Sequence, residues 1–524
     1  MFSAFLVKVS HRELMSRLTK NILYNGAGQG LVLLLGMIAV RSIFRQLGED
    51  ALGVIYFVLT LNTVLCSSLE MGICSTTVRE IAVSFRDKPD YVRDLLRTAS
   101  LIYWMAYACL ALLLYQLAPW LVAHWINLHT MTHASAISTI RVLGAACLLN
   151  LPRALYVSVC RGVERMELNN IVDVVVYGLQ QVGTVVILLW GGSLMTMVYW
   201  QAFGFVFWSA IYMIVAAQLL SWSAVLPGFS IYVVRRNLTF SGHMAAVSAL
   251  GMVHMQSDKV IVSKILTVGQ LGAYGSASLM VSKASTITSA VSLAAFPTLS
   301  ASFETGGHKA ALAQYRKLHD LICVGTIPLF AAIVVATPSL FSHLLSPAVA
   351  HELVVPILFL CVGTYMNGTL NMPYFFSLAV GKPEIAVKMN LVALITTTLP
   401  AVWLVYRFGL RGAGFSWILY HVSAYAYGIP RFCTECLELP TRDWLVHVGE
   451  ITATGAIAYG GAWLLIVHSS IRYETIGLIV AYFISSAVFL LGSYWFIDTE
   501  FRRIMEGIAM RVWRRSFGLE VSKD

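Results

Sequence analysis

Charged residues are rare in this chain, and a few of them stand where water is scarce. Lys283 falls near the middle of a long apolar stretch, beside Ser282, Ser285, Thr286 and Thr288. A charge at the centre of a membrane helix costs about 2.5–3.5 kcal/mol on the insertion scale. Such a group either pairs with an acid or lines a wet cavity, where it attracts an anion. Asp173, inside another apolar stretch, is the acid that would serve as its partner. Arg41 lies near the close of the first apolar stretch, and Asp258 and Lys259 lie in the matching part of the seventh. These three are candidates for the same cavity. Snorkelling of Arg41 to the interface, or an Arg41–Asp258 pair, explains them equally well. Arg141, at the start of the fourth stretch, faces the same choice.

Uncharged polar residues also fall deep in apolar stretches: Gln180, Gln181, Gln201, His254, Gln256, Asn367 and the pair Tyr420-His421. Amides and aromatic rings facing water suit a hydroxyl-rich ligand. Interhelical hydrogen bonding, worth about 0.6 kcal/mol on average, accounts for any single one of them as well. Histidine is the side chain whose ordinary pKa lies nearest neutrality, so His254 and His421 are candidates for a coupling step. The nine cysteines sit mostly within apolar runs and read as small hydrophobes. Cys433 and Cys436 have CxxC spacing, but no second cysteine pair or nearby histidine completes a zinc site. Gly26, Gly28 and Gly30 have the wrong spacing for a phosphate loop and serve close packing or a bend instead. No cofactor or metal is expected from these patterns.

Helices must position these residues. The chain is 58% apolar and 12% charged, and that charged share is about half that of a soluble domain. Apolar runs of more than about eighteen residues recur from end to end without the alternation of a barrel strand. Backbone groups in lipid must be satisfied within the chain, so the expected fold is an all-α polytopic membrane protein. Fourteen spans are expected, at 20–44, 51–72, 100–120, 136–159, 170–190, 195–219, 238–262, 270–296, 321–340, 354–380, 385–406, 413–433, 446–467 and 476–497. An even number puts both termini on one side. With that side inside, the outer connections hold only Arg45, Lys264, Arg407, Arg411 and Arg472 of the 36 Lys and Arg residues. This bias places both termini in the cytoplasm. The net charge of +10 is then a topology signal and not a nucleic-acid surface. Residues 1–19 form a basic amphipathic lead-in without the pattern of a cleavable signal, and 498–524 a basic cytoplasmic tail.

Arg45 and Lys264 are separated by the same number of residues as Leu52-Gly53 and Leu271-Gly272, and as Gly162 and Gly381. Three matches at one offset indicate a duplication. The lobes would be 20–220 and 221–440, six spans each and therefore parallel, with two further helices at 441–497.

The stretch from Arg41 through Leu47-Gly48, Leu52-Gly53 and Tyr56 to Leu69-Glu70-Met71-Gly72 and Val78-Arg79-Glu80-Ile81-Ala82 carries a family likeness. So do Asp258-Lys259 with Leu271-Gly272-Ala273-Tyr274, Ala295-Phe296-Pro297-Thr298-Leu299-Ser300, and Gly381-Lys382-Pro383-Glu384 followed by Gly409-Leu410-Arg411-Gly412-Ala413-Gly414. In this order the set resembles the polysaccharide exporter and O-antigen flippase branch of the multidrug/oligosaccharidyl-lipid/polysaccharide exporter superfamily. Glu70 departs from the family, which often has Asp there. The resemblance implies two lobes in a V around a central cavity. It also implies movement of a polyprenyl-diphosphate-linked oligosaccharide repeat unit from the inner to the outer leaflet of the cytoplasmic (inner) membrane, by alternating access, for O-antigen, capsule or exopolysaccharide synthesis. Lys283 would then attract the diphosphate. Membrane lipids, glycosyltransferases, a polymerase and chain-length regulators are the implied partners, with no nucleic acid.

Three other classes are weighed against this reading. A cation-coupled multidrug exporter of the same superfamily would favour an acidic cavity, whereas the mid-membrane charge here is basic; a lipid II-type flippase would share the layout. A membrane glycan polymerase or ligase would carry a large outer loop, and none is present, so no enzyme is expected. A non-transporting scaffold of a glycan assembly complex would need no polar interior.

Overall fold

The computed structural model describes residues 11–85, 87–467, 475–503 and 505–507. Among these the only bridge between extended segments is Asn127 with Thr267, and the rest of the regular structure is helix. The helices are α1 His11–Leu47, α2 Glu49–Ser84, α3 Pro89–His124, α4 His133–Cys147, α5 Asn150–Gly162, α6 Met166–Leu189, α7 Leu194–Leu219, the single turn α8 Trp222–Val225, α9 Ile231–Ile265, α10 Val268–Leu344, α11 Pro347–Ala379, α12 Glu384–Arg431, α13 Thr441–Val467 and α14 Thr475–Ser493. Phe432–Leu437 continues α12 as a π-helix. Ten described helical segments are long and apolar enough to cross a membrane. This is a polytopic all-helical membrane protein.

The expected spans fall on helix, with two informative differences. The segment 136–159 is two helices, because the chain leaves α4 at Cys147 and restarts at Asn150. Pro152 lies in the first turn of α5, where its missing N–H costs nothing, whereas in an unbroken helix it would clash one turn back. The last span stops at Ser493. Elsewhere, ends are set by side-chain caps and glycines. Thr132, Ser193 and Ser346 accept hydrogen bonds from the amides of Ser135, Thr196 and Val349. Gly307 and Gly409, at φ of 67° and 59°, divide α10 and α12 internally; an L side chain would be strained there.

By packing, the chain forms two units, 1–276 and 277–524. In the first, the repeated glycines touch one another. A Cβ on Gly53 would lie 1.8 Å from the Val268 carbonyl oxygen, and one on Gly272 would lie 2.8 Å from the Gly53 nitrogen. Tyr56 covers Gly275 in the same way. Close backbone approach through small residues is a usual route to helix association in lipid. Gly53 and Gly272, matched to each other in the sequence, thus let α2 meet the start of α10. Beside them Asp50, buried, takes the amides of His129, Thr130 and Met131 at 2.8, 2.6 and 2.9 Å, which fixes the connection after α3. At the other end of α2, Glu80 is clasped by Arg79, Arg236 and Tyr91, tying α2, α3 and α9 together.

In the second unit, α11 packs on the latter part of α12. Trp417 covers Gly363, and a Cβ on Gly414 would lie 2.8 Å from the Pro356 carbonyl. A large core gathers Tyr315, Phe376, Phe432, Trp444 and Phe489. Cys433 and Cys436 are buried in that core.

Candidate functional site

A well-connected polar cluster lies in the first unit, around a residue that the sequence did not single out. The restart of the chain at Asn150 turns Arg153 across to α6 and α7. Its Nε donates to Asn150 Oδ1 at 3.1 Å, its Nη1 lies 3.7 Å from Asp173 Oδ1, and its guanidinium stacks 4.1 Å over the Trp208 ring. Asp173 Oδ1 also accepts from Trp208 Nε1 at 3.1 Å and from the Tyr212 hydroxyl at 2.7 Å. Tyr212 is fully buried and reaches Asn169 O as well, so α6 and α7 hold the carboxylate firmly. The acid is shared and fixed; the arginine is joined to it at long range. Asp173 remains about half exposed and Arg153 about one-fifth. A guanidinium on an indole face can exchange a distant carboxylate for a phosphate, which it binds as a fork, while the ring offers a surface for a sugar. The sequence signal that would have found it is an arginine inside an apolar run, directly after Pro152. Asp173 thus takes its described partners from its own unit.

The other candidates divide by what they touch. Asp258 is buried, accepts from Tyr274 at 2.8 Å and lies 3.3 Å from Lys259 Nζ, so the two charges neutralise each other locally. Lys259 also reaches Met255 O at 3.5 Å. Arg141 donates to Tyr115 O at 3.0 Å and stacks on the Tyr115 ring at 4.1 Å, anchoring α4 to α3. Gln180 is buried between α6 and α7, donating to Gln201 O at 3.1 Å while its own carbonyl takes Trp200 Nε1 at 3.0 Å. His421 is buried, bonded to Trp417 O at 2.7 Å and packed between Trp417 and Tyr420. Arg41, Gln181, Gln256 and Asn367 are half-buried.

Lys283 is half-buried on α10 in the second unit. Its neighbours Ser285, Thr286 and Thr288 donate their hydroxyl protons to carbonyls one turn back, at 2.7, 3.4 and 2.8 Å. Their oxygens are left as acceptors. Of the three only Thr286, three residues on, shares the helix face of Lys283; Thr288 is buried against Gly368.

Long apolar helices, ten of them among the described residues able to cross a membrane, define a multispan helical membrane protein. The chain belongs to the polysaccharide biosynthesis protein family, whose sequence profile matches residues 18–303. It is 21% identical, over 405 residues, to a protein from Shigella flexneri named "Putative O-antigen transporter", covering 76% of this chain and 93% of that protein. Its fold is similar to the lipid II flippase MurJ in an inward closed conformation, with a TM-score of 0.72, 11% identity and coverage of 91% and 98% of the two chains. It is also similar to an inward-facing multidrug resistance MATE family transporter, with a TM-score of 0.63, 16% identity and coverage of 78% and 95%.

Proposed function

We propose that this protein is a flippase that carries a polyprenyl-diphosphate-linked oligosaccharide from the inner to the outer leaflet of the cytoplasmic membrane, for surface-polysaccharide synthesis. Membership of the polysaccharide biosynthesis family carries the reading. The name of the Shigella flexneri relative supports it, and so does the chemistry of the intramembrane groups. The headgroup of such a lipid bears a diphosphate and sugars while its tail stays in oil. Its path needs cations to meet the phosphates and acceptors and ring faces to meet the sugars. Arg153 with Trp208 and Asn150 supplies one such patch, and half-buried Lys283, with Thr286 on the same helix face, supplies a second cation.

The cycle is alternating access of the parallel repeats 20–220 and 221–440, with the helices at 441–497 appended and both termini in the cytoplasm. Arg153 releases Asp173 and forks onto a phosphate, while Tyr212 and Trp208 keep the acid satisfied during the exchange. Glycosyltransferases, a polymerase and chain-length regulators act before and after this step.

The test is Lys283→Ala and Arg153→Ala in cells that make the glycan. Both variants should accumulate lipid-linked repeat units in the inner leaflet while folding and inserting normally. Normal surface glycan in both would remove these residues from the path.

A further inference from the structure

A second cluster lies wholly within the second unit, where α10, α13 and the chain after α14 converge. His319 and Asp320 are neighbours on α10, and His447 is on α13. One donor atom from each lies within 4.8 Å of the others. His319 and Asp320 are almost fully buried; the His447 side chain is 29% exposed. Asp320 Oδ1 meets His447 Nε2 at 2.6 Å, and Oδ2 accepts the Asp498 amide at 2.7 Å. The ring of His319 is stacked on Tyr315 at 5.3 Å and flanked by Trp444 at 5.4 Å, and Trp444 donates to the Tyr315 hydroxyl at 2.8 Å. A cavity of about 270 Å³ opens onto the cluster, with the carboxylates of Asp443 and Asp498 on its wall.

We propose that His319, Asp320 and His447 form a site for a borderline divalent cation of the zinc type. The donor set decides the class: two imidazoles and one carboxylate suit zinc and its transition-metal neighbours, whereas calcium and magnesium take oxygen cages. Bonds of 2.0–2.2 Å place tetrahedral donors about 3.3–3.5 Å apart. The Asp320–His447 contact opens by less than about 1 Å to accept an ion, and no donor separation has to close by more than about 1.5 Å. The ion replaces the proton that now joins Asp320 to His447. The Asp498 amide remains on the second carboxylate oxygen, orienting Asp320 from behind as outer partners of metal ligands do. The fourth position faces the cavity and is open to water. Because the ligands lie on α10 and α13 and the supporting amide follows α14, a bound ion fastens the two C-terminal helices to α10. This site is independent of the transport reading.

The full-length protein in detergent, stripped with a chelator, is titrated with Co²⁺ and then with Zn²⁺. The wild type should take one Co²⁺ per chain with visible d–d absorption, lose that signal to Zn²⁺, and melt at a higher temperature with Zn²⁺ present. His447→Gln and Asp320→Asn should each weaken binding by at least about 10-fold, while the exposed control His351→Gln keeps wild-type affinity. No saturable uptake by the wild type at about 100 µM metal overturns the proposal, as does wild-type affinity in both ligand variants. If a variant fails to fold, the wild-type titration and its metal-dependent melting decide alone.

Discussion

At the scale of single residues, partners decide what a charge is for. Arg153 and Arg141 both stack on aromatic rings. Arg141 adds a backbone carbonyl and is an anchor; Arg153 adds the Asn150 side chain at 3.1 Å and the Asp173 carboxylate at 3.7 Å, and its release from Asp173 is the step proposed above. Arg153→Ala should lower the translocation rate by about 10–100-fold, the loss of one contact to a charged group. Arg153→Lys should recover part of that rate, since it keeps the charge but loses the fork and the stack; rates of glycan delivery at matched protein level check both. Glu80 is a stability residue. Burial opposes its ionisation, but Arg79, Tyr91 and Arg236 outweigh burial and hold its carboxyl below the ordinary value of 4.5. A lowered folded value means that the stabilisation is present above about pH 4.5 and fades as pH falls through the folded value. Glu80→Gln should therefore cost about 1–3 kcal/mol near neutrality and little in acid, read from melting temperature against pH. The sequence showed Lys283, because nothing basic surrounds it in a long apolar run. It hid Arg153, because an arginine near the end of a span looks like a topology charge until the break at Leu148-Leu149 is seen.

At the scale of elements, glycine carries information the periodicity does not. The Leu-Gly pairs that sequence reading matched at one offset have a packing role: Gly53 and Gly272 bring two backbones into contact. Gly53→Val should lower the melting temperature in detergent markedly, since overpacking against a backbone carbonyl costs about 1–3 kcal/mol or more. Gly30→Ala, with nothing within 4 Å of its added methyl, should melt like the wild type or slightly higher. The division of α4 from α5 was not legible, because an apolar run reads alike whether its helix is broken or whole. The His319–Asp320–His447 cluster escaped notice for another reason: its members are brought together from opposite sides of three intervening helical segments, and no spacing rule reports that.

At the scale of the whole molecule, apolar runs and the scarcity of charge made the helical membrane class readable from the start, and the order of the loose motifs made the family readable. Reporter enzymes fused after residues 20 and 524 should both be active only in the cytoplasm, if positive charge sets the topology. An external signal from either fusion would reverse the orientation assumed for the transport cycle. The central claim is that the chain moves a diphosphate-linked glycan lipid across the bilayer by means of intramembrane cations. Its most direct test is a vesicle measurement: purified wild type and the Arg153→Ala/Lys283→Ala double variant, each reconstituted with a polyprenyl-diphosphate oligosaccharide, followed by the fraction of glycan open to an added glycosidase. The account predicts that the wild type equilibrates the glycan between leaflets and that the folded double variant leaves it where it was loaded. Equal rates in the two proteins, or no movement by the wild type beyond that of empty vesicles, would contradict it.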